Sequence, residues 1–416
     1  MPRLLYTLLW CLGMPLVLAR LVWRARKQPD YLQNLGERFG QLLAPPGPCI
    51  WLHAVSVGET RAAEPLVKAL LAEYPRHHIL LTHMTPTGRA TGKSLFGKLD
   101  RVHQAWLPYD LPWLTRRFLR NAQPVCGIVM ETEVWPNLQA SAQALGVPML
   151  LANARLSERS AHGYAKLGGL ARAAFASFSQ IAAQSEADAQ RIRALGGREI
   201  SITGNIKYDV AIPDTTAQLA AHFRQLTGNR PVLLAASTRE GEEALILDAF
   251  RQQAPNDVLL VLVPRHPQRF DEVAALAEQR GLVIARRSHD AAITPDTRVW
   301  LGDSMGEMAA YYAMAQVAMM GGSWLPYGSH NLIEPCAAGV PVMVGPSSFN
   351  FAEAAELAIA AGAAKRCDDV DAGMRSALHL LADTSLREHM AQAGRSFCAA
   401  HGGATQKLLS LVKALK

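Results

Sequence analysis

The chain has 416 residues and a net charge of +7; 50% of its residues are hydrophobic and 19% are charged. This much apolar material suffices for complete hydrophobic cores and excludes intrinsic disorder as the general state. Glycine and proline occur without a period, which excludes a collagen-like chain. At about 150 residues per domain, the length predicts two or three folding units. The positive charge favours anionic partners, such as nucleotides, phospholipid headgroups or nucleic acid, without choosing among them.

The N-terminal segment is strongly apolar. Residues 4–19 carry no charge, and basic residues follow from Arg20 onward. As a helix this run would extend about 24 Å, short of a hydrocarbon core of about 30 Å. We therefore expect a short membrane span or a half-inserted anchor; a signal peptide cleaved after 17–19 and an amphipathic helix packed on the protein are alternatives. The positive charges after the segment predict that the remaining chain lies in the cytoplasm.

The rest of the chain alternates between short apolar runs and helix-like stretches. One series extends from residue 49 to residue 206, and a second begins near Pro231. This alternation is typical of parallel sheets covered by helices. The sequence therefore predicts two α/β units of similar size, joined by a polar segment. In such sheets ligands bind at the carboxyl ends of the strands, so two domains facing each other would place the site in the cleft between them.

Two motifs point to competing functions. The stretch Gly88–Ser94 is similar to a phosphate-binding loop, but it has one intervening residue too few and lies in a helix-like stretch. The stretch Gly302–Gly306 fits G-x-S-x-G, with Ser304 between a predicted strand and a predicted helix. It is compatible with a serine hydrolase and equally with a phosphate held by backbone N–H groups. No G-x-G-x-x-G follows the first strand, so a dinucleotide cofactor is not indicated.

Polar residues follow the predicted strands of the first series. Glu59 lies in the first turn of a helix, where the helix dipole is expected to keep its carboxylate ionised. The alternative is that Glu59 only stabilises this helix. Glu131 and Glu133 follow the strand VCGIV, and Lys207 follows the last strand of the series. Two carboxylates at a strand end are unusual, although one of them could simply cap a helix. Lys207 is expected to point into the cleft between the two domains, and the alternative is a solvated lysine of the linker.

The second series offers groups suited to a nucleotide. Arg265 ends a predicted strand, where its guanidinium could pair with a phosphate. Glu334 follows a glycine-rich loop, and its carboxylate could accept two hydrogen bonds from a ribose diol. The alternative for Glu334 is an acid favoured by the helix dipole.

Taken together, these loops resemble the 3-deoxy-D-manno-octulosonic acid (Kdo) transferases of lipopolysaccharide assembly, in order and over nearly the whole chain. The resemblance implies an α/β fold of the GT-B glycosyltransferase type, with two Rossmann-like domains facing a cleft and an N-terminal membrane-anchoring helix. The matching stretches are HAVSVGET, MTPTG, LPYDLP, METEVWPNL, NARLSERS, QSEADAQR, TGNIKYD, REGEE, VPRHPQRF, GDSMGEM, GGSWLPYGSHNLIEP and GVPVMVGPSSFNF.

The resemblance also implies a division of the chain. Residues 1–28 are expected to form the membrane anchor and 29–207 an acceptor-side Rossmann-like domain. Residues 208–230 are the expected linker. Residues 231–416 are the expected CMP-sugar-binding domain, and the last helix is a candidate for packing back on the N-terminal domain.

The activity implied is that of an inverting glycosyltransferase. It would move Kdo from CMP-Kdo to a phosphorylated, tetraacyl lipid A precursor, on the cytoplasmic side of the inner membrane. Direct displacement with a single base predicts inversion at the anomeric carbon. CMP-Kdo has one phosphate and needs no bridging Mg²⁺, so we expect no metal or other cofactor, and no nucleic acid partner.

Residue roles follow from the family's motifs. Glu59 matches the general base, and Glu131 and Lys207 match residues that stabilise the transition state. Ser304 then belongs to a nucleotide-binding loop and need not be a nucleophile. The expected contacts to CMP are Pro264, Arg265, Met305, Gly306, Glu307, Asn331, Leu332, Ile333 and Glu334.

Basic residues near the N-terminus are expected to meet anionic lipids of the inner membrane. Each contributes up to about 1 kcal/mol of attraction to such a surface. The alternative is that they flank the anchor and only orient it. These residues are Arg20, Arg24, Arg26, Lys27 and Arg38.

Overall fold

A computed structural model describes most of the chain, namely residues 2–209, 215–228, 230–289 and 293–415. The chain divides into two compact units. Unit 1 comprises Met1–Asp209 and Gly402–Lys416, and unit 2 comprises Val210–His401.

The described part of unit 1 has a parallel sheet of seven strands. These are β1 (Cys49–His53), β2 (His78–His83), β3 (Val102–Trp106), β4 (Pro124–Met130), β5 (Met149–Ala154), β6 (Gln180–Ala183) and β7 (Ile200–Ile202). Their order across the sheet is β3-β2-β1-β4-β5-β6-β7. The central strand β1 is buried at every position, because helices cover both faces of the sheet.

Helices connect these strands. Several begin at a serine or threonine whose side chain accepts a hydrogen bond from a backbone N–H of the first turn, as at Ser56 and Thr85. The stretch Gly88–Ser94 lies inside a helix, so it does not form a phosphate-binding loop. The helices are α1 (Pro2–Ala25), α2 (Val57–Ala62), α3 (Glu64–Glu73), α4 (Pro86–Phe96), α5 (Pro112–Ala122), α6 (Pro136–Ala144), α7 (Glu158–Ala165), α8 (Gly169–Ala176) and α9 (Glu186–Ala194).

Unit 2 repeats the architecture. Its described residues also form a parallel sheet of seven strands. These are β8 (Val232–Thr238), β9 (Leu259–Pro264), β10 (Ile284–Arg286), β11 (Val299–Leu301), β12 (Val317–Met320), β13 (Val342–Val344) and β14 (Ala364–Arg366). Their order is β10-β11-β9-β8-β12-β13-β14. The two parallel sheets with their helices confirm the predicted fold class.

The helices of unit 2 include one within the segment suggested as a linker. Helix 215–227 packs Phe223 against Trp300 and Tyr311, with ring centroids 5.0 and 4.9 Å apart. Residues 210–214 and 229 of that segment lie outside the described residues. The helices are α10 (Thr215–Thr227), α11 (Glu242–Gln253), α12 (Phe270–Glu278), α13 (Met308–Met314), α14 (Ile333–Ala337), α15 (Ala352–Ala360), α16 (Val370–Ala382) and α17 (Thr384–His401).

The last helix, α18 (Ala404–Ala414), belongs to unit 1. Leu408 is fully buried in the core that also contains Leu66 of α3. The carboxylate of Asp209 accepts a hydrogen bond from the Gly403 N–H at 2.6 Å and so satisfies a free donor at the start of α18.

Helix α1 lies with one side against unit 1. Trp10, Met14, Val17 and Leu18 pack on a cluster formed by Tyr109, Leu111 and Leu114. The Tyr6 hydroxyl donates to the Asp110 carboxylate at 2.8 Å. Within the described residues, α1 is the one helix long and apolar enough to cross a membrane. Its opposite side exposes Leu4, Leu5, Leu8, Leu9, Leu12, Leu16, Val22 and Trp23.

The expected role of Arg38 at a lipid surface is wrong. Its side chain is buried, with 2% of the residue exposed, and its guanidinium lies 4.1 Å from the ring centroid of Trp106. The cation is held against an aromatic face inside unit 1.

Both sheets have a point where the strand order reverses. In unit 1 this point lies between β1 and β4, and in unit 2 between β8 and β12. In open parallel sheets ligands bind outside the carboxyl ends of the strands at such a point. The loops that leave these four strands carry many of the polar residues singled out in the sequence.

Candidate functional site

In the loop after β1, the Glu59 side chain turns back toward the N-terminus of its own helix, α2. The Ser56 hydroxyl accepts a hydrogen bond from the Glu59 N–H, at 3.4 Å, and donates to the Glu59 carboxylate, at 3.0 Å. The Val55 N–H donates to the same carboxylate at 2.8 Å. This reciprocal arrangement is a variant of the capping box, and the local sequence Ser-Val-Gly-Glu produces it. The carboxylate is therefore held in one place before any ligand arrives.

Burial dominates the electrostatics of Glu59. The residue is only 8% exposed, and burial raises the pKa of its carboxyl to about 7. This value includes a smaller increase from the charges of Glu131 and Glu133 and a decrease from the hydrogen bonds of Val55 and Ser56. The expectation that the helix start keeps this carboxylate ionised is corrected, since burial leaves it only partly ionised at neutral pH. A carboxyl with a pKa near 7 can both accept and release a proton at neutral pH.

Glu131 leaves β4 in a strained conformation. Its φ of 56° is in the left-handed region, and its N–H donates to the Ala152 carbonyl at 2.9 Å. Its carboxylate pairs with the Lys207 ammonium at 3.5 Å, and both side chains are partly exposed. Strained backbone of this kind persists where surrounding contacts determine it, and it is common at functional sites.

Two asparagines position the loop of Lys207. The Asn205 side chain accepts a hydrogen bond from the Lys207 N–H at 3.0 Å. The Asn153 side chain, fully buried at the end of β5, accepts one from the Ile206 N–H at 3.0 Å. Sequence reasoning missed Asn153; the signal was a single amide inside the apolar run LLANA.

The structure thus brings three predicted residues together at the carboxyl ends of the unit 1 strands. Glu59 and Glu131 follow the adjacent strands at the reversal point, and Glu131 is paired with Lys207. Glu133 lies close enough to act on Glu59, and burial raises the pKa of Glu133 as well. The arrangement can take up a proton at Glu59 beside a fixed carboxylate–ammonium pair.

The reversal point of unit 2 gathers cationic side chains. Arg265 follows β9, and its N–H donates to the Thr238 carbonyl at 2.9 Å. Burial, together with the charges of Arg265, Arg239 and His266, lowers the pKa of His330 to about 4. These groups are therefore close together, and the imidazole of His330 is neutral at pH 7. Such a cluster suits an anionic ligand.

A buried carboxylate holds the loops of this second site. Glu242 is fully buried, and its carboxylate accepts hydrogen bonds from the N–H groups of Arg239, Gly322 and Trp324 at 2.8, 2.7 and 2.9 Å. It thereby ties the loop after β8 to the loop after β12. Reasoning from residues alone gave Glu242 no role; the available signal was the acidic start of its helix, in REGEE.

The G-x-S-x-G stretch does not form a nucleophilic serine site. The Ser304 hydroxyl donates to the Glu307 carboxylate and lies 3.3 Å from the Tyr311 hydroxyl, and no histidine contacts it among the residues that the structure describes. The Glu307 carboxylate also accepts hydrogen bonds from Arg287 at 3.2 and 3.1 Å. Gly306 turns the loop with a φ of 84°, which leaves Met305 exposed.

The remaining predicted CMP contacts fall into two groups. The Asn331 side chain donates to the Glu334 carboxylate at 2.9 Å and accepts from the Ile333 N–H at 3.1 Å. Pro264, Leu332 and Ile333 are buried, so their side chains belong to the core of unit 2. Their backbones and the neighbouring polar side chains are what a ligand could reach.

Across 2–209, 215–228, 230–289 and 293–415, no group of three or more histidine, cysteine, aspartate or glutamate side chains could hold a metal ion.

Comparisons with known proteins identify the family. Residues 33–210 match the family model for 3-deoxy-D-manno-octulosonic-acid transferase (kdotransferase). The chain is 46% identical to the 3-deoxy-D-manno-octulosonic acid transferase of Bordetella pertussis, over 95% of this chain and 96% of the relative. It is 40% identical to the transferase of the same name from Haemophilus influenzae, over 99% and 98% of the two chains.

Solved structures show the fold. A UDP-GlcNAc 2-epimerase from Neisseria meningitidis, bound to UDP-GlcNAc, matches with a TM-score of 0.58 and 15% identity, over 88% of this chain and all of that one. A glycosyltransferase from Rickettsia africae matches with a TM-score of 0.57 and 12% identity, over 89% and 99% of the two chains. With the fold and the two full-length relatives in agreement, the chain belongs to the Kdo transferase family and is a glycosyltransferase.

Proposed function

We propose that this enzyme transfers Kdo from CMP-Kdo to a phosphorylated, tetraacyl lipid A precursor, with inversion at the anomeric carbon, in lipopolysaccharide biosynthesis. The observation that carries the proposal is the Glu59 carboxyl, buried and held by Val55 and Ser56, with a pKa of about 7. Membership of the Kdo transferase family supports the choice of the sugar.

Glu59 is the general base in this proposal. A sugar hydroxyl is a poor nucleophile at neutral pH, and a carboxylate within hydrogen-bond reach can take its proton as the new bond forms. Such catalysis contributes about 10²–10⁴-fold. The acceptor oxygen bonds to the anomeric carbon while the bond from that carbon to the CMP phosphate breaks. A single displacement of this kind inverts the configuration.

Glu131 and Lys207 stabilise the transition state. The anomeric carbon gains positive charge as CMP leaves, and the departing group gains negative charge. A carboxylate and an ammonium held 3.5 Å apart offer one fixed charge for each. Groups that are already oriented cost no reorganisation when the reaction occurs.

Unit 2 binds the donor in this proposal. Arg265, beside Arg239 and the neutral His330, meets the phosphate of CMP. Glu334, held by Asn331, accepts hydrogen bonds from the ribose hydroxyls. The loop Met305–Glu307 contributes backbone groups. Because the donor carries one phosphate, the reaction needs no bridging metal, and a chelator should leave the rate unchanged.

Helix α1 attaches the enzyme to the cytoplasmic side of the inner membrane. Its exposed leucines suit the acyl region, and Arg20, Arg24, Arg26 and Lys27 suit anionic headgroups. One side of α1 is committed to unit 1 from Tyr6 to Ala25. This favours a helix lying in the membrane surface over one that crosses the bilayer, since a crossing helix would leave the protein along most of its length.

The test is a reaction of the purified chain with CMP-Kdo and a tetraacyl lipid A precursor, with products weighed by mass spectrometry. We expect the acceptor to gain the mass of Kdo, and Glu59→Ala to abolish the gain while CMP binding is retained. Full transfer by Glu59→Ala would remove Glu59 from the mechanism. Absence of any sugar transfer by the unaltered enzyme would refute the proposed reaction.

A further inference from the structure

Unit 1 contains a groove between α1, the loop after β4 and the helices α7 and α8. Its volume is about 290 Å³. Small-ligand pockets start at about 300 Å³, so the groove has room for part of a ligand and not for a whole glycolipid. Tyr6, Trp135, Leu167 and Leu170 are among the residues that line it.

The walls of the groove are predominantly apolar. Of the described residues that line it, Glu133 is the one with a charged side chain. Burial raises the pKa of Glu133, as expected of a carboxyl in apolar surroundings. The Tyr164 hydroxyl is satisfied within the wall, since it donates to the Thr132 carbonyl at 3.1 Å. Such walls offer few hydrogen bonds to a ligand and suit a hydrocarbon.

The position of the groove points to its occupant. Tyr6 belongs to α1, the helix whose opposite side exposes a row of leucines. Thr132 and Glu133 directly follow Glu131, and Glu133 lies close enough to Glu59 to raise its pKa. The groove is therefore lined at once by the lipid-facing helix and by the loop of the proposed transition-state residue.

We propose that this groove binds one acyl chain of the lipid acceptor. The inference rests on the proposed function, because it takes the acceptor to be acylated. An acyl chain between α1 and α8 would leave the other chains in the membrane and hold the attached sugar near Glu133. The groove would then select acylated acceptors and orient their hydroxyl toward the carboxylates of unit 1.

The first test places a charge in the groove. Leu167 is 51% exposed, so Leu167→Asp should fold. We expect the KM for the tetraacyl acceptor to rise about tenfold or more, since a chain would have to bury the new charge. The KM for CMP-Kdo should not change. The matched control is Leu145→Asp, at a leucine that is 37% exposed and outside the groove, and it should leave both KM values unchanged.

A second acceptor separates this inference from the proposed function. With the same phosphorylated sugar stripped of its acyl chains, Leu167→Asp and the unaltered enzyme should have equal KM values. If the KM rose equally for both acceptors, or for neither, the proposed role of the groove would be refuted. The proposed transferase function would not be affected by either result. An unaltered enzyme that transfers Kdo to no acceptor would instead refute the proposed function.

A cross-linking experiment keeps the inference testable if Leu167→Asp does not fold. The unaltered enzyme is irradiated with a lipid A precursor that carries a photoreactive acyl chain. We expect label on the residues that line the groove, namely Tyr6 and residues within 132–136 and 164–174. Labelling elsewhere would overturn the proposal. Equal labelling of these segments by a phospholipid with the same photoreactive chain would also overturn it, since the groove would then hold a bilayer lipid.

Discussion

The two reversal points share one topology and have opposite chemistry. At the unit 1 site, buried carboxyls stand close together, and burial raises the pKa of Glu59 and of Glu133. At the unit 2 site, Arg239 and Arg265 surround His330 and help burial to lower its pKa to about 4. Topology decides where in each sheet a ligand binds. The loops decide which charge that position accepts.

This contrast separates two tasks. Like charges that crowd a carboxyl make it a better proton acceptor at neutral pH, and cations that crowd a neutral histidine make the site attractive to an anion. We therefore expect changes at the unit 1 site to lower kcat and changes at the unit 2 site to lower the affinity for CMP. Each of the following predictions tests this division.

The largest effect is expected at Glu59. Glu59→Gln keeps the shape and removes the proton acceptor, so kcat should fall by about 10²–10⁴-fold. The dissociation constant of CMP, measured by calorimetry, should not change. Glu64→Gln is the matched control, because Glu64 lies at the start of α3 and pairs with Lys68 instead. Weaker CMP binding by Glu59→Gln would contradict the idea that the unit 1 site affects only kcat.

The next effect is expected at Arg265. A hydrogen bond to a charged group contributes about 1.5–3 kcal/mol, so Arg265→Gln should weaken CMP binding by about 10–100-fold. At saturating CMP-Kdo, kcat should stay close to that of the unaltered enzyme. Arg251→Gln, an exposed position on α11, is the control. An unchanged affinity in Arg265→Gln would argue against a phosphate contact.

The elements that carry these residues were predictable from the sequence, because β1, β4, β8 and β12 consist mainly of apolar residues. The edge strands β3 and β14 were not, since β3 contains His103 and Gln104 and two of the three residues of β14 are Lys365 and Arg366. An edge strand needs no apolar run, because it has one neighbour and borders solvent.

The site was predictable in position but not in its energetics. Family motifs located Glu59, but the direction of its pKa shift depends on burial in the folded chain and on charges from residues far along the sequence, such as Glu131. In the same way, nothing around Glu242 in the sequence indicates that its carboxylate binds N–H groups about eighty residues away. The prediction that Arg38 lies at a lipid surface was wrong for the same reason, because its partner Trp106 belongs to another element.

The third effect is a pH dependence that belongs to the unit 1 site. A general base acts in its ionised form, and burial puts the pKa of Glu59 at about 7. The rate constant kcat should therefore fall about tenfold per pH unit below that value and level off above it. It is measured at saturating substrates between about pH 5.5 and 8.5. The residual activity of Glu59→Gln should not show this fall in kcat at low pH. If the fall persisted in the variant, the titrating group would be a residue other than Glu59.

The smallest effect is expected at Ser304, in the loop of unit 2 proposed to contact CMP. Its hydroxyl donates to Glu307, and Arg287 holds the same carboxylate with two further hydrogen bonds. Ser304→Ala therefore removes one of several supports, and one hydrogen bond contributes about 0.5–1.5 kcal/mol. The transfer rate should fall less than about tenfold, because the variant binds CMP-Kdo more weakly. A catalytic serine would behave differently, since removal of a serine nucleophile costs on the order of 10⁶-fold in kcat. Steady-state kinetics of this one variant thus decides whether Ser304 only supports binding of the donor. A large loss of kcat would show that Ser304, and not the carboxyls of unit 1, carries out the chemical step.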